Sequence, residues 1–160
     1  MIKFKIGNRI IGENYEPLVI AEIGINHNGN LDSAISIVDS AIKAGAEIIK
    51  HQTHVVDDEM ADAAKKVIPG NSNKSIYQIV NEMALSEKDE KKLMNYVISK
   101  KRIFFSSPFS RKAVDRLEKF GVPLYKIGSG ECNNYPFVEY ICKKKKPIIL
   151  STGMNTLKTI

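Results

Sequence analysis

The chain has 160 residues, 43% hydrophobic and 26% charged, with 24 Lys and Arg against 18 Asp and Glu, a net charge of +6. That is the composition of an ordinary soluble chain able to bury a core. No apolar run approaches the ~20 residues of a membrane span, and no secretory signal is read at the N-terminus. Cys132 and Cys142 have neither metal-type nor disulfide-framework spacing, so a reduced, cytoplasmic chain is expected. The basic residues are scattered along helix-type segments apart from Lys143 to Lys146, which argues against nucleic acid and suits a small anionic substrate.

In chain order, residues 1–15 alternate as Ile2-Lys3-Phe4-Lys5-Ile6, turn at Gly7-Asn8 and predict a β-hairpin plugging one end of the main domain. Five apolar, strand-like runs follow, each with a polar residue at or near its end. They are Leu18–Ala21 with Glu22, Ala46–Ile49 with Lys50, Ile103–Phe105 with Ser107, Leu124-Tyr125-Ile127 around Lys126, and Pro147–Leu150 with Ser151. Helical patterns separate them. Leu31, Ala34, Ile35, Val38, Ala41 and Ile42 share one face of a helix ending at Gly45, and Ile76, Ile79, Val80 and Met83 mark another. Ser86 with Asp89 caps a third before Leu93, Met94, Val97 and Ile98, while Ser110 opens and Gly121 closes a fourth. Asn155–Ile160 reads as the first turn of a further helix. Repeated β-then-α units predict an α/β fold with a parallel sheet, of the (β/α)8 TIM-barrel type. A barrel typically needs about 250 residues, so residues 17–160 read as the first five βα units of a longer domain.

Side chains alternate along a strand, so Glu22, Lys50 and Gln52 are expected to point into one cavity at the strand C-terminal ends, where a barrel collects its reactive groups. The pair can orient an anionic substrate and handle a proton, or can equally be a structural ion pair. Gly128-Ser129-Gly130 offers small residues, N–H groups and a hydroxyl for a phosphate or carboxylate. Lys126, Ser107 and Ser151 add to it. His51 and His54, three apart on a strand, face opposite ways and are rejected as a metal pair; His27 reads as a satisfied loop histidine. Asp57-Asp58-Glu59 reads as a surface acidic run, Arg111 as solvated or anion-facing, and Lys143–Lys146 as a solvated helix end stopped by Pro147.

Ala21–Gly29, Lys50-His51-Gln52-Thr53-His54, Val67–Asn71, Ser107–Arg111, Tyr125–Pro136 and Ser151–Asn155 closely resemble motifs of the bacterial N-acetylneuraminate (sialic acid) synthases, in family order and spacing over nearly the whole chain. The resemblance implies condensation of phosphoenolpyruvate with open-chain N-acetylmannosamine, assisted by a divalent metal (Mn2+ or Mg2+), in a barrel followed by an antifreeze-like domain and assembled as a domain-swapped homodimer. It implies a catalytic role for Glu22 near the aldehyde. Phosphoenolpyruvate falls to Lys50, Ser107, Lys126, Ser129 and Ser151, with Ser107 where many members have Thr. Gln52, Asn71 and Glu131 match sugar-side positions. The metal-ligating histidines, the rest of the barrel and the antifreeze-like domain are expected beyond residue 160. Two other readings stay open: a legionaminate- or pseudaminate-type synthase with the same chemistry, and a non-catalytic phosphate-binding remnant.

Overall fold

The computed structural model describes residues 3–160. Lys3–Ile6 (β1) and Arg9–Gly12 (β2) pair antiparallel around the Gly7-Asn8 turn, as expected; Met1 and Ile2 of the expected hairpin lie outside the described residues. Five strands then alternate with helices: Ile20–Gly24 (β3), Leu31–Lys43 (α1), Ile48–Thr53 (β4), the short Val56–Glu59 (α2), Ile76–Met83 (α3), Glu87–Ser99 (α4), Ile103–Pro108 (β5), Arg111–Phe120 (α5), Tyr125–Ile127 (β6), Tyr135–Cys142 (α6) and Ile148–Leu150 (β7). All five strands are parallel and stand in chain order, β3-β4-β5-β6-β7. That is the arrangement with which a barrel begins, but the described residues form an open sheet, with β3 and β7 paired on one side only.

Helix boundaries follow from local chemistry. Asn30 accepts from Ser33 N–H (2.8 Å) to start α1; Ser86 and Ser110 do the same for α4 and α5; Gly121, in the left-handed region, ends α5. Ser75 and Gln78 bond reciprocally at the start of α3, a capping box that the apolar spacing did not reveal. The helix expected from Asn155 does not form: Thr159 N–H bonds to Thr156 C=O in a single turn.

The sheet has two differently built faces. On the outer face Ile23, Ile49, Phe104, Tyr125 and Ile127 pack against α1, α4, α5 and α6 through Val38, Leu93, Val97, Leu117 and Ile141. On the inner face Ile48, Phe105 and Leu124 form a buried layer with Ile20 and Ile149 at its margins, and Ile6 of the hairpin is buried against it. The hairpin thus closes the N-terminal end of the inner face, since each large aliphatic or aromatic side chain removed from water contributes about 1.5–3 kcal/mol.

Candidate active site

Two residues beyond the inner apolar layer, each strand places a polar residue on the same face: Glu22 above Ile20, Lys50 above Ile48, Ser107 above Phe105, Lys126 above Leu124 and Ser151 above Ile149. The period of two along five parallel strands therefore produces one polar layer at the C-terminal end of the sheet. Within it Lys50 Nζ lies 3.3 Å from Glu22 Oε1 and 3.5 Å from Ser107 Oγ. Lys126 Nζ donates to Ser151 Oγ (2.5 Å) and to the Ile127 carbonyl (2.9 Å). Lys50 is buried while the Glu22 side chain is 64% exposed, so the carboxylate faces the opening. Burial, and then the charge of Lys50, lower the Lys126 pKa, opposed by Glu22. Two ammonium groups that disfavour each other are a ready receptor for an anion.

The four remaining predicted residues stand outside these bonds. Gln52 continues the inner face of β4, and its Oε1 lies 3.2 Å from His54 Nε2. Ser129 and Glu131 belong to a 3₁₀ turn at Ser129–Glu131, held by Asn155, whose amide donates to the Ser129 carbonyl (3.1 Å). Glu131 accepts from Asn134 (2.7 Å) and borders a cavity of about 300 Å³ with Asp58, Glu59, Phe109, Arg111 and Asn134. Asn71 sits in an exposed turn after Pro69, and no hydrogen bond joins it to the others. β3 bulges between Glu22 and Gly24: Glu22 pairs with Lys50, but Gly24, at φ +46°, pairs with His51. A bulge of this kind re-aims side chains beside a site.

A polar network on the opposite face of β4 escaped the sequence reading. His27 Nδ1 accepts from Gly29 N–H (3.2 Å), which places its proton on Nε2; that nitrogen donates to His51 Nε2 (3.1 Å), and His51 Nδ1 then donates to Glu90 Oε1 (3.2 Å). Glu90, 1% exposed, also accepts from Thr53 and, at 3.1 Å, from Arg116. Burial pushes its pKa up, but the bonds from His51 and Thr53 and the Arg116 charge hold it below the usual range. His27 is thus a satisfied buried histidine, lowered to about 4 by burial and by His51.

Two sequence expectations are refined. Asp57 and Asp58 are exposed, as expected, and accept from Tyr77 (2.6 Å) and from Lys112 N–H (3.0 Å), whereas Glu59 leaves the surface run, its side chain buried against His54 (2.9 Å). Lys143–Lys146 is not simply solvated. Lys143 pairs back onto Glu139 of α6 and stays exposed, while Lys144 with Asp115 and Lys146 with Glu118 fasten the end of α6 to α5. Among the described residues no three His, Cys, Asp or Glu side chains cluster as a metal site.

The described residues thus form an open parallel α/β sheet with a lysine-bearing polar layer at its C-terminal end. Residues 37–160 match the model of the NeuB family, and the chain belongs to that family. It is 37% identical over 147 residues to the N,N'-diacetyllegionaminic acid synthase of Campylobacter jejuni, covering 89% of this chain and 44% of that protein. To the pseudaminic acid synthase of the same species it is 33% identical over 156 residues, covering 95% and 45%. The crystal structure of an N-acetylneuraminic acid (sialic acid) synthetase from Leptospira borgpetersenii superposes with a TM-score of 0.85 at 28% identity, over 99% of this chain and 52% of that one. The chain therefore spans about half the length of these relatives.

Proposed function

We propose that this chain is part of a synthase that condenses phosphoenolpyruvate with N-acetylmannosamine to give N-acetylneuraminate and phosphate, in the cytoplasm. The observation that carries the reading is the polar layer in which Lys50, Ser107, Lys126 and Ser151 stand together with Glu22 at its open side. The two ammonium groups and the hydroxyls, with Ser129 at the margin, would hold the phosphate and carboxylate of phosphoenolpyruvate. Glu22 lies where the sugar aldehyde would enter and would position it and a proton. The C3 carbon of phosphoenolpyruvate then bonds to the aldehyde carbon, water adds at C2, and phosphate leaves. Holding both reactants in attack geometry can contribute about 7–11 kcal/mol to lowering the barrier. Gln52, Glu131 and Asn71 would serve the sugar. A divalent cation, Mn2+ or Mg2+, would polarise the aldehyde when bound; its ligands would come from beyond the described residues, as would the closing strands of a (β/α)8 barrel and the swapped domain of a homodimer.

A legionaminate- or pseudaminate-type synthase is the second reading, favoured by the identities of 37% and 33% to such enzymes. The test is product analysis of the full-length protein supplied with phosphoenolpyruvate, Mn2+ and either N-acetylmannosamine or a diacetamido hexose. Preferential turnover of N-acetylmannosamine is expected. Preference for the diacetamido sugar selects the second reading, and absence of phosphate release with any sugar overturns both.

A further inference from the structure

β4 ends in a chain of bonds that reaches the polar layer from the side. Both carboxylate oxygens of Glu59 lie near His54 Nδ1, at 2.9 and 3.1 Å, and His54 Nε2 lies 3.2 Å from Gln52 Oε1. The ring stacks on Phe109 with centroids 4.5 Å apart and planes 11° from parallel, and the side chains of His54 and Glu59 are each 6% exposed. Glu59 can only accept, so His54 Nδ1 donates to it and the ring is fixed, with Nε2 within hydrogen-bond distance of the Gln52 amide. An amide whose oxygen is held in this way turns its NH2 the other way. Here the NH2 faces Gly24, where the missing side chain keeps it uncovered: a Cβ at that position would touch Gln52 Nε2 at 3.7 Å.

We propose that His54 is a positioning residue for the sugar: with Glu59 and Phe109 it locks the Gln52 amide so that the NH2 group donates to a hydroxyl oxygen of the substrate. This rests on the synthase reading of the site. An unlocked amide would present either its oxygen or its NH2, and the orientation that offers an acceptor would leave substrate hydroxyls mispaired. The locked residue is thus selective for a hydroxyl lone pair at that point, and it acts on sugar affinity without touching phosphoenolpyruvate.

The experiment is steady-state kinetics of the full-length protein and its His54→Phe, Glu59→Gln, Gln52→Ala and His54→Phe/Gln52→Ala variants. His54→Phe keeps a ring on Phe109 and removes both nitrogens. It should raise the KM for N-acetylmannosamine about tenfold and that for phosphoenolpyruvate less than twofold, and the double variant should be no worse than Gln52→Ala. Glu59→Gln should give the same pattern at about threefold, which covers a His54→Phe variant that fails to fold. Equal shifts in both KM values, or additive effects in the double variant, overturn the proposal. Side-chain amide signals of Gln52 supply a readout independent of turnover: solvent exchange slowed in the unmodified protein and released in His54→Phe is expected, and equal exchange in the two overturns the lock. Lack of turnover by the unmodified protein, with the Gln52 amide protected by His54, would instead sink the synthase reading alone.

Discussion

Lys126 carries its charge against both burial and the neighbouring Lys50, and Glu22 offsets them only in part. An anion between the two ammonium groups relieves that conflict, and a charge-assisted hydrogen bond contributes about 1.5–3 kcal/mol. Changing Lys50 or Lys126 to Met should therefore weaken phosphoenolpyruvate binding about tenfold or more, as measured by calorimetry on the full-length protein; unchanged affinity removes these residues from the site. His27 gives a pH prediction. Its pKa falls from 6.5 to about 4 on folding, so between those values the unfolded chain binds a proton that the native chain does not, and stability rises with pH across that window. Denaturant midpoints should drop as the pH is lowered from about 6.5 to about 4, and His27→Gln should flatten that slope. Glu22, Lys50 and Lys126 were legible because a strand's period of two reports its face directly. His51 was assigned correctly to the other face, but its partner Glu90 stands 39 positions away, and no local pattern links them.

At the scale of elements, the first strand-to-helix loop is tied to the end of α3 at one point. Gly29, at φ +71°, lies so close to the Glu82 carbonyl that a Cβ there would collide with backbone. Gly29→Ala should cost at least about 1–3 kcal/mol, because a left-handed conformation and a backbone clash coincide, and thermal unfolding would show it. Ser75→Ala removes half of the α3 capping box and should cost about 1 kcal/mol. The sequence placed α1, α4 and α5 well, since each joins an apolar stripe to a recognisable cap. The end of β5 was less legible: the strand runs on through Ser106 and Ser107 to Pro108, and those polar residues look like loop until Thr53 and Lys50 provide their partners.

For the whole molecule, the open edges of β3 and β7 decide how residues 1–160 behave when produced alone. Each edge presents unpaired N–H and C=O groups beside apolar side chains, including Val19 and Leu150, both well exposed. This piece should self-associate or show dye-binding apolar surface with broad unfolding, and should release no phosphate from phosphoenolpyruvate with N-acetylmannosamine and Mn2+. A compact monomer in light scattering with one sharp transition would show that the edges are closed another way. Metal-dependent phosphate release above background would show that these residues suffice for the chemistry.

The order of strands and helices, the plugging hairpin and the identity of the polar layer were determined by the sequence itself, because period, caps and turns are local and each strand repeats the same apolar-then-polar step. Tertiary structure alone decided which polar groups are spent on one another. His27, His51 and Glu90 come from a loop, a strand and a helix; the lysines after α6 find carboxylates on α5; Glu59 leaves an acidic run to hold His54. The physical reason is that burial makes an unpartnered polar group costly, so the packed fold chooses partners by proximity in space, which spacing along the chain does not record.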